Sequence, residues 1–358
     1  MTPGAIRVLV VEDSLTVRRR LCEILADDPQ FEVVGEAADG ARAIELCRDL
    51  RPSVVTMDMM LPEISGLAAT EHIMAHCPTP ILVVSSSFNR GEMFKTYEAL
   101  SAGAVDVLEK PTGNEPEGAW ERRFIATVRI VSRIRVITHP LARLKGLYVH
   151  PTPEIRAAVA PAAKPASMIA IGASTGGPGA IVEVLRALPP DFAVPVLFVL
   201  HISPVFSRSF AQWLGEKIAR RVELAEDGHS VAAAGHVIMA PPDQHLIVKG
   251  GRLRLTDEPE RHSCRPSVDV LFESVAREYG PSAAGCLLTG MGRDGAAGLL
   301  AIRAAGGVTI AQDEATSVVY GMPREAALIG AAQRILPIGD IGPRIAALAG
   351  SVADATAP

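Results

Sequence analysis

Three short strings carry residue types that could together perform acyl transfer. Gly172-Ala173-Ser174-Thr175-Gly176-Gly177 offers a serine. Leu200-His201-Ile202 offers a histidine, and Thr289-Gly290-Met291-Gly292-Arg293-Asp294-Gly295 an aspartate. A serine hydroxyl is a weak nucleophile until a histidine takes its proton, and the histidine needs a carboxylate to fix its tautomer. Each string closes an apolar run that reads as a strand: 168–172, 195–202 and 285–290. In an open α/β sheet, turns after such strands converge on the crevice at the carboxyl edge. Ser174 also precedes a helix starting near Pro178, where free N–H groups and the helix dipole favour an oxyanion. Singly, each string is ambiguous. Gly-x-Ser-x-Gly is often a phosphate cradle or a plain turn, a strand-end histidine is more often structural, and Asp294 could cap a helix over 296–305.

A second constellation lies nearer the start. Glu12 and Asp13, Asp58, Ser85 and Lys110 follow four of five apolar runs, 7–11, 53–57, 80–84 and 105–108, with 31–35 the fifth and helical stretches between. Repeated βα units imply a parallel sheet with helices on both faces. Three carboxylates at one edge repel unless a cation sits among them, and all-oxygen ligands suit Mg²⁺. A hydroxyl and an ammonium beside them could hold the oxygens of a phosphoryl group on Asp58. The bland alternative is a solvated rim of charge, but five polar residues in order at four strand ends argue for a site.

The elements that position these residues fit a two-domain α/β chain of 358 residues. It is 48% hydrophobic but only 4% aromatic, so its cores are aliphatic. A net charge of −5 argues against non-specific nucleic-acid binding. No apolar run reaches transmembrane length, and Ile6–Val11 leads straight into two acids rather than a signal-peptide pattern. Five cysteines without a CxxC pair read as reduced thiols in a cytoplasm, with Cys22 and Cys47 filling core. An amphipathic helix over Trp120–Ile137, with five arginines, reads as the last helix of the first domain with a solvated basic face. Residues 151–165, rich in Ala and Pro, read as a linker. Asp243 and His245, on a hairpin expected over 236–255, read as structural. The histidines show no zinc spacing along the chain.

Val10-Val11-Glu12-Asp13-Ser14, Met57-Asp58-Met59-Met60-Leu61-Pro62, Val84-Ser85-Ser86 and Glu109-Lys110-Pro111 resemble a response-regulator receiver. The resemblance implies a flavodoxin-like fold of strand order 2-1-3-4-5. It implies Asp58 as phospho-acceptor, Glu12, Asp13 and Asp58 as Mg²⁺ ligands, and Ser85 and Lys110 as switch residues. It also implies a cis bond before Pro111. Val107 stands where receivers usually carry an aromatic switch, and Ser65 where they usually carry an acid.

The second half resembles the CheB-type protein-glutamate methylesterases of bacterial chemotaxis. The match runs through 172–178, 201–204, 240–246, 265–272, 289–295, 309–314 and 319–323 in order. It implies a doubly wound, mostly parallel α/β catalytic domain over 166–350, after a receiver over 1–120 and a last helix and linker over 121–165. It implies Ser174 as nucleophile, His201 as base and Asp294 as its orienting carboxylate, with the backbone N–H groups of Met291 and Thr175 as oxyanion hole. The chain order Ser…His…Asp sets it apart from α/β-hydrolases. Leu200 and Ile202 depart from the residues usual beside the histidine. The resemblance further implies demethylation of glutamate methyl esters and deamidation of glutamines on methyl-accepting chemotaxis receptors. A chemotaxis histidine kinase would be phosphodonor, and no cofactor would serve hydrolysis. The chain itself is expected to be a cytoplasmic monomer, not membrane-embedded and without a nucleic-acid partner. Asp294→Asn is expected to fold normally and lose activity through the wrong histidine tautomer.

Overall fold

The computed structural model describes residues 4–86, 90–111, 116–134, 136, 165–231 and 236–349. The chain divides into two compact units, Met1–His150 and Pro151–Pro358.

In the first unit, β1 (Ile6–Val11), β2 (Phe31–Ala37), β3 (Val54–Met57), β4 (Ile81–Ser85) and β5 (Asp106–Glu109) form one parallel sheet of order β2-β1-β3-β4-β5. Val8–Val10, Val54, Val55 and Ile81–Val83 have no exposed surface. That is why these strands read as unbroken apolar runs: a parallel sheet is covered on both faces. Helix α1 (Leu15–Ala26) follows Ser14, whose side chain makes no capping bond. Asp39 caps α2 (Gly40–Leu50) by accepting from the Arg42 N–H. Ser65, the residue that departs from the receiver pattern, caps α3 (Gly66–His76) by accepting from the Ala68 N–H. Helix α4 spans Arg90–Ser101. Helix α5 runs Ala119–Val131 and buries Trp120, Phe124, Val128 and Val131. It is shorter than expected, turning at Ser132 and Arg133, and Ile137 lies outside the described residues. Part of its basic face is taken up by pairing, Arg129 with Asp28 at 2.7 Å. The cis peptide bond among the described residues is Arg265–Pro266, not the bond before Pro111.

In the second unit, seven parallel strands run in the order β14-β13-β12-β6-β7-β9-β8. They are β6 (Met168–Ala173), β7 (Val196–Leu200), β8 (Val222–Leu224), β9 (Val237–Met239), β12 (Ala283–Leu287), β13 (Val308–Gln312) and β14 (Arg334–Leu336). The chain starts at β6, builds outward through β7, then returns to lay β12 on the other side of β6. The crevice beyond β6 is therefore a topological switch point, where open α/β sheets bind ligands. The hairpin expected over 236–255 divides in two. Val237–Met239 joins the large sheet, and Pro241 and Pro242 end it because proline cannot donate to a ladder. The hairpin proper pairs β10 (His245–Lys249) with β11 (Arg252–Thr256) across Gly250 and Gly251, both at positive φ as a tight hairpin turn requires. The helix Val268–Tyr279 packs Val268, Leu271, Phe272 and Val275 into the core with no exposure. Among the described residues, no helix is long and apolar enough to cross a membrane.

Candidate active site and acidic switch site

Ser174 and His201 stand one residue past β6 and β7, which are hydrogen-bonded neighbours. The His201 N–H donates to Ala173 O at 3.0 Å, so the histidine is tied to the residue before the serine. Ser174 N–H donates to Thr289 O at 3.0 Å, which ties the serine to the turn after β12. Gly290 lies so close that a Cβ there would come within 2.8 Å of Ser174 Cβ and 2.3 Å of Met322 Sδ. The three strings thus meet at the carboxyl ends of three adjacent strands.

Asp294 is 2% exposed and accepts four hydrogen bonds. His201 Nε2 donates to Oδ2 at 3.0 Å, and the Val268 N–H to the same oxygen at 2.7 Å. Ser267 Oγ donates to Oδ1 at 2.7 Å, and the Asp269 N–H at 3.1 Å. Three of these donors belong to the first residues of the helix Val268–Tyr279 or its N-cap, where unpaired N–H groups and the dipole favour an anion. Burial opposes the charge on Asp294, but the His201 hydrogen bond and the Ser267 hydroxyl hold its carboxyl below the usual range. Burial likewise opposes the imidazolium of His201, yet Asp294 and the neighbouring Cys264 carry it up to about 9. With Nε2 donating to a carboxylate, Nδ1 is the nitrogen left to act as base. It faces Cys264 Sγ at 3.8 Å, and no hydrogen bond joins it to Ser174 Oγ.

The N–H groups of Thr175 and Met291 donate to no protein acceptor among the described residues. Thr289 anchors both turns. Its Oγ1 reaches Thr175 O at 2.9 Å and accepts from the Val319 N–H, while its N–H donates to Gln312 Oε1 at 2.8 Å. A cleft of about 520 Å³ opens beside this turn, with Cys264, Met291, Arg293 and Asp294 in its wall.

Sequence reasoning missed Cys264, Ser267 and His245 as parts of this assembly. His245 is fully buried. Its Nδ1 accepts the Ser267 N–H at 3.1 Å, so its proton is on Nε2, which donates to Pro259 O. The expected structural role of His245 is therefore specific: it fixes the residue that clamps Asp294. The only forewarning was the string Arg265-Pro266-Ser267-Val268-Asp269 itself. Asp313 accepts from Thr316 N–H and Oγ1 and so ties the loop after β13.

In the first unit, Lys110 Nζ lies 2.9 Å from Glu12 Oε2 and 3.1 Å from Asp58 Oδ2. One oxygen from each of Glu12, Asp13 and Asp58 falls within 4.8 Å of the others. Burial, then the Asp58 charge, raises Glu12 to about 7, and burial raises Asp58 despite Lys110. Two buried carboxylates, Glu12 and Asp58, share the one Lys110 ammonium, with the exposed Asp13 carboxylate beside them, and this excess of negative charge with all-oxygen donors fits a hard divalent cation such as Mg²⁺. The hydrogen bonds of the Ser85 hydroxyl go to residues outside that cluster. It donates to Glu92 Oε1 on α4 at 3.1 Å and accepts from Thr96 Oγ1 at 3.2 Å. Glu92 Oε1 also accepts from the Ser86 N–H and hydroxyl. Glu92 too went unseen in the sequence.

A family profile described as CheB methylesterase matches residues 169–345, and one described as response regulator receiver domain matches residues 8–116. A curated relative from Anaeromyxobacter dehalogenans, "Protein-glutamate methylesterase/protein-glutamine glutaminase 2", is 44% identical over 94% of this chain and 95% of its own. The Nitrosospira multiformis "Protein-glutamate methylesterase/protein-glutamine glutaminase" is 42% identical over 98% of both. Among solved structures, the Thermotoga maritima CheB methylesterase catalytic domain is 34% identical, with a TM-score of 0.49 over 51% of this chain and 98% of that one.

Proposed function

This chain belongs to the protein-glutamate methylesterase/protein-glutamine glutaminase family, and we propose that it hydrolyses γ-glutamyl methyl esters on the helices of chemotaxis receptors under control of its own receiver. The observation that carries the chemistry is the hydrogen-bonded His201–Asp294 pair, from the turns that follow the two strands flanking β6, beside Ser174. Ser174 Oγ attacks the ester carbonyl while His201 Nδ1 takes its proton. Asp294 holds the ring through Nε2 and balances the imidazolium. A free site need not show the serine–histidine bond already made. The N–H groups of Met291 and Thr175 receive the tetrahedral oxyanion. The imidazolium returns the proton to the departing methanol, leaving an acyl-enzyme on Ser174. Water, deprotonated by His201, then cleaves that ester to free glutamate. A glutamine side chain enters the same sequence with ammonia as leaving group.

Asp58 accepts the phosphoryl group from a histidine kinase. Glu12, Asp13 and Asp58 would hold Mg²⁺, which neutralises carboxylate and phosphoryl charge together. Lys110 meets one phosphoryl oxygen, and Ser85 meets another once it leaves Glu92. The enzyme works as a cytoplasmic monomer, with no cofactor for hydrolysis, and binds no nucleic acid. The test is methanol release from methylated receptor membranes, with and without an acyl-phosphate donor and Mg²⁺. Ser174→Ala, His201→Ala and their double mutant should fall to similar low rates, because groups acting as a unit are not additive. Near-wild-type release by Ser174→Ala would overturn the reading.

A further inference from the structure

The imidazole of His201 lies between two groups of different kind. Nε2 donates to the Asp294 carboxylate at 3.0 Å, and Nδ1 faces the Cys264 thiol at 3.8 Å. One ligand-type atom from each of His201, Cys264 and Asp294 lies within 4.8 Å of the other two. We propose that the imidazole and thiol of this triangle bind a thiophilic divalent cation of the zinc class with Asp294 behind the imidazole, and that the bound cation shuts the esterase.

The geometry suits that ion. A tetrahedral zinc bonded to an imidazole nitrogen at about 2.0 Å and a thiolate sulfur at about 2.3 Å holds those atoms about 3.5 Å apart. Nδ1 and Sγ stand close to that spacing without any rearrangement. Asp294 need not move, because a carboxylate behind a metal-bound imidazole is the usual outer partner, fixing the ring and raising its basicity. The turn that presents the thiol is tightly pinned. Arg261 and Cys264 exchange both backbone hydrogen bonds, at 3.1 and 2.9 Å. Cys264 is half-buried in the wall of the 520 Å³ cleft, so an ion has a way in and water can complete its shell. Sulfur and imidazole donors select zinc over the hard cation that suits the Glu12–Asp13–Asp58 cluster. On binding, the thiol proton passes to solvent, as does the Nδ1 proton when the imidazole is charged. The ion then occupies the Nδ1 lone pair that must receive the serine proton. This inhibitory half rests on the hydrolase reading, and the binding half does not.

The test uses the full chain in saturating Mg²⁺, with Zn²⁺ partitioned against a chromophoric chelator. Co²⁺ substitution supplies the sulfur-to-cobalt charge-transfer absorption. Wild type and Ser174→Ala should bind one equivalent and show that absorption. Cys264→Ser and His201→Ala should each weaken the equivalent at least tenfold and lose the absorption, whereas Cys22→Ser and Cys77→Ser should keep both. Zn²⁺ should inhibit methanol release by the wild type, reversibly with a chelator. Cys264→Ser should need at least tenfold more Zn²⁺ for half-inhibition, whatever its own rate. An equivalent that survives Cys264→Ser, or equal Zn²⁺ sensitivity in that variant, overturns the proposal. If no esterase activity is found at all, the two binding measurements still decide it.

Discussion

Asp294→Asn strikes the most densely bonded pair of atoms in the site. Oδ1 serves Ser267 Oγ and the Asp269 N–H, and Oδ2 serves the Val268 N–H and His201 Nε2. An amide offers one accepting oxygen and one donating NH₂. With the NH₂ in the Oδ2 place, the Val268 N–H loses its acceptor and His201 must surrender its Nε2 proton. With the NH₂ in the Oδ1 place, the Ser267 hydroxyl can turn and accept, and only the Asp269 N–H is left facing a donor. The second arrangement wins, and one orphaned buried donor costs about 1–3 kcal/mol. For a domain of this size that lowers the unfolding midpoint by about 2–12 °C. The hydrogen-bond network thus adds a stability cost to the expectation that this variant folds normally. The tautomer argument stands for whichever molecules place the NH₂ at His201, and for all of them the carboxylate charge is gone, so the rate should fall by about 10⁴-fold. Thermal unfolding of the catalytic unit and methanol release, measured on one preparation, check both numbers. An unchanged midpoint, or a rate within tenfold of wild type, refutes the reasoning.

His201 should titrate in the activity. With its imidazolium held up to about 9, kcat/KM should climb about tenfold per pH unit below that point and level above it, and a flat profile from pH 6.5 to 9 would contradict this. A histidine raised in the folded state adds stability that is whole below its ordinary pKa of about 6.5 and is lost as pH rises through about 9, which midpoints measured across that window should follow. Gly290→Ala would press a methyl against Ser174 backbone and Met322 Sδ. It should cost about 10²-fold in kcat by displacing Ser174, with retained activity counting against the tight contact. Glu92→Gln weakens the acceptor that holds the Ser85 hydroxyl by about 1 kcal/mol, so half-maximal stimulation should need about fivefold less acyl-phosphate. An unchanged requirement would show that Ser85 is not restrained there.

The strand-end residues were legible because a parallel sheet, buried on both faces, writes each strand as an apolar run. Glu12, Asp58, Ser85, Lys110, Ser174 and His201 each follow such a run at the edge where ligands bind. The short strands were not. Val222–Leu224 and Val237–Met239 have three residues each, too few for a period to show. The residues around Asp294 escaped for another reason. Ser267 lies 27 positions and Cys264 63 positions from the atoms they meet, and each contact depends on a turn whose path sequence does not encode locally. Glu92 sits on a helix where an acid ordinarily faces water. Only the turn after β4 makes it a buried acceptor for two serines.

Asp294 completes the start of a helix that begins 26 residues before it. It therefore has an occupation that would outlast catalysis. A descendant that abandoned ester hydrolysis could exchange Ser174 or His201 at small cost to folding, whereas exchanging Asp294 would strand the first amides of a buried helix. Inheritance at the three positions is therefore unequal testimony. An aspartate kept at this place records the ancestry of the fold, and only the serine and histidine kept together record that the chemistry is still in use.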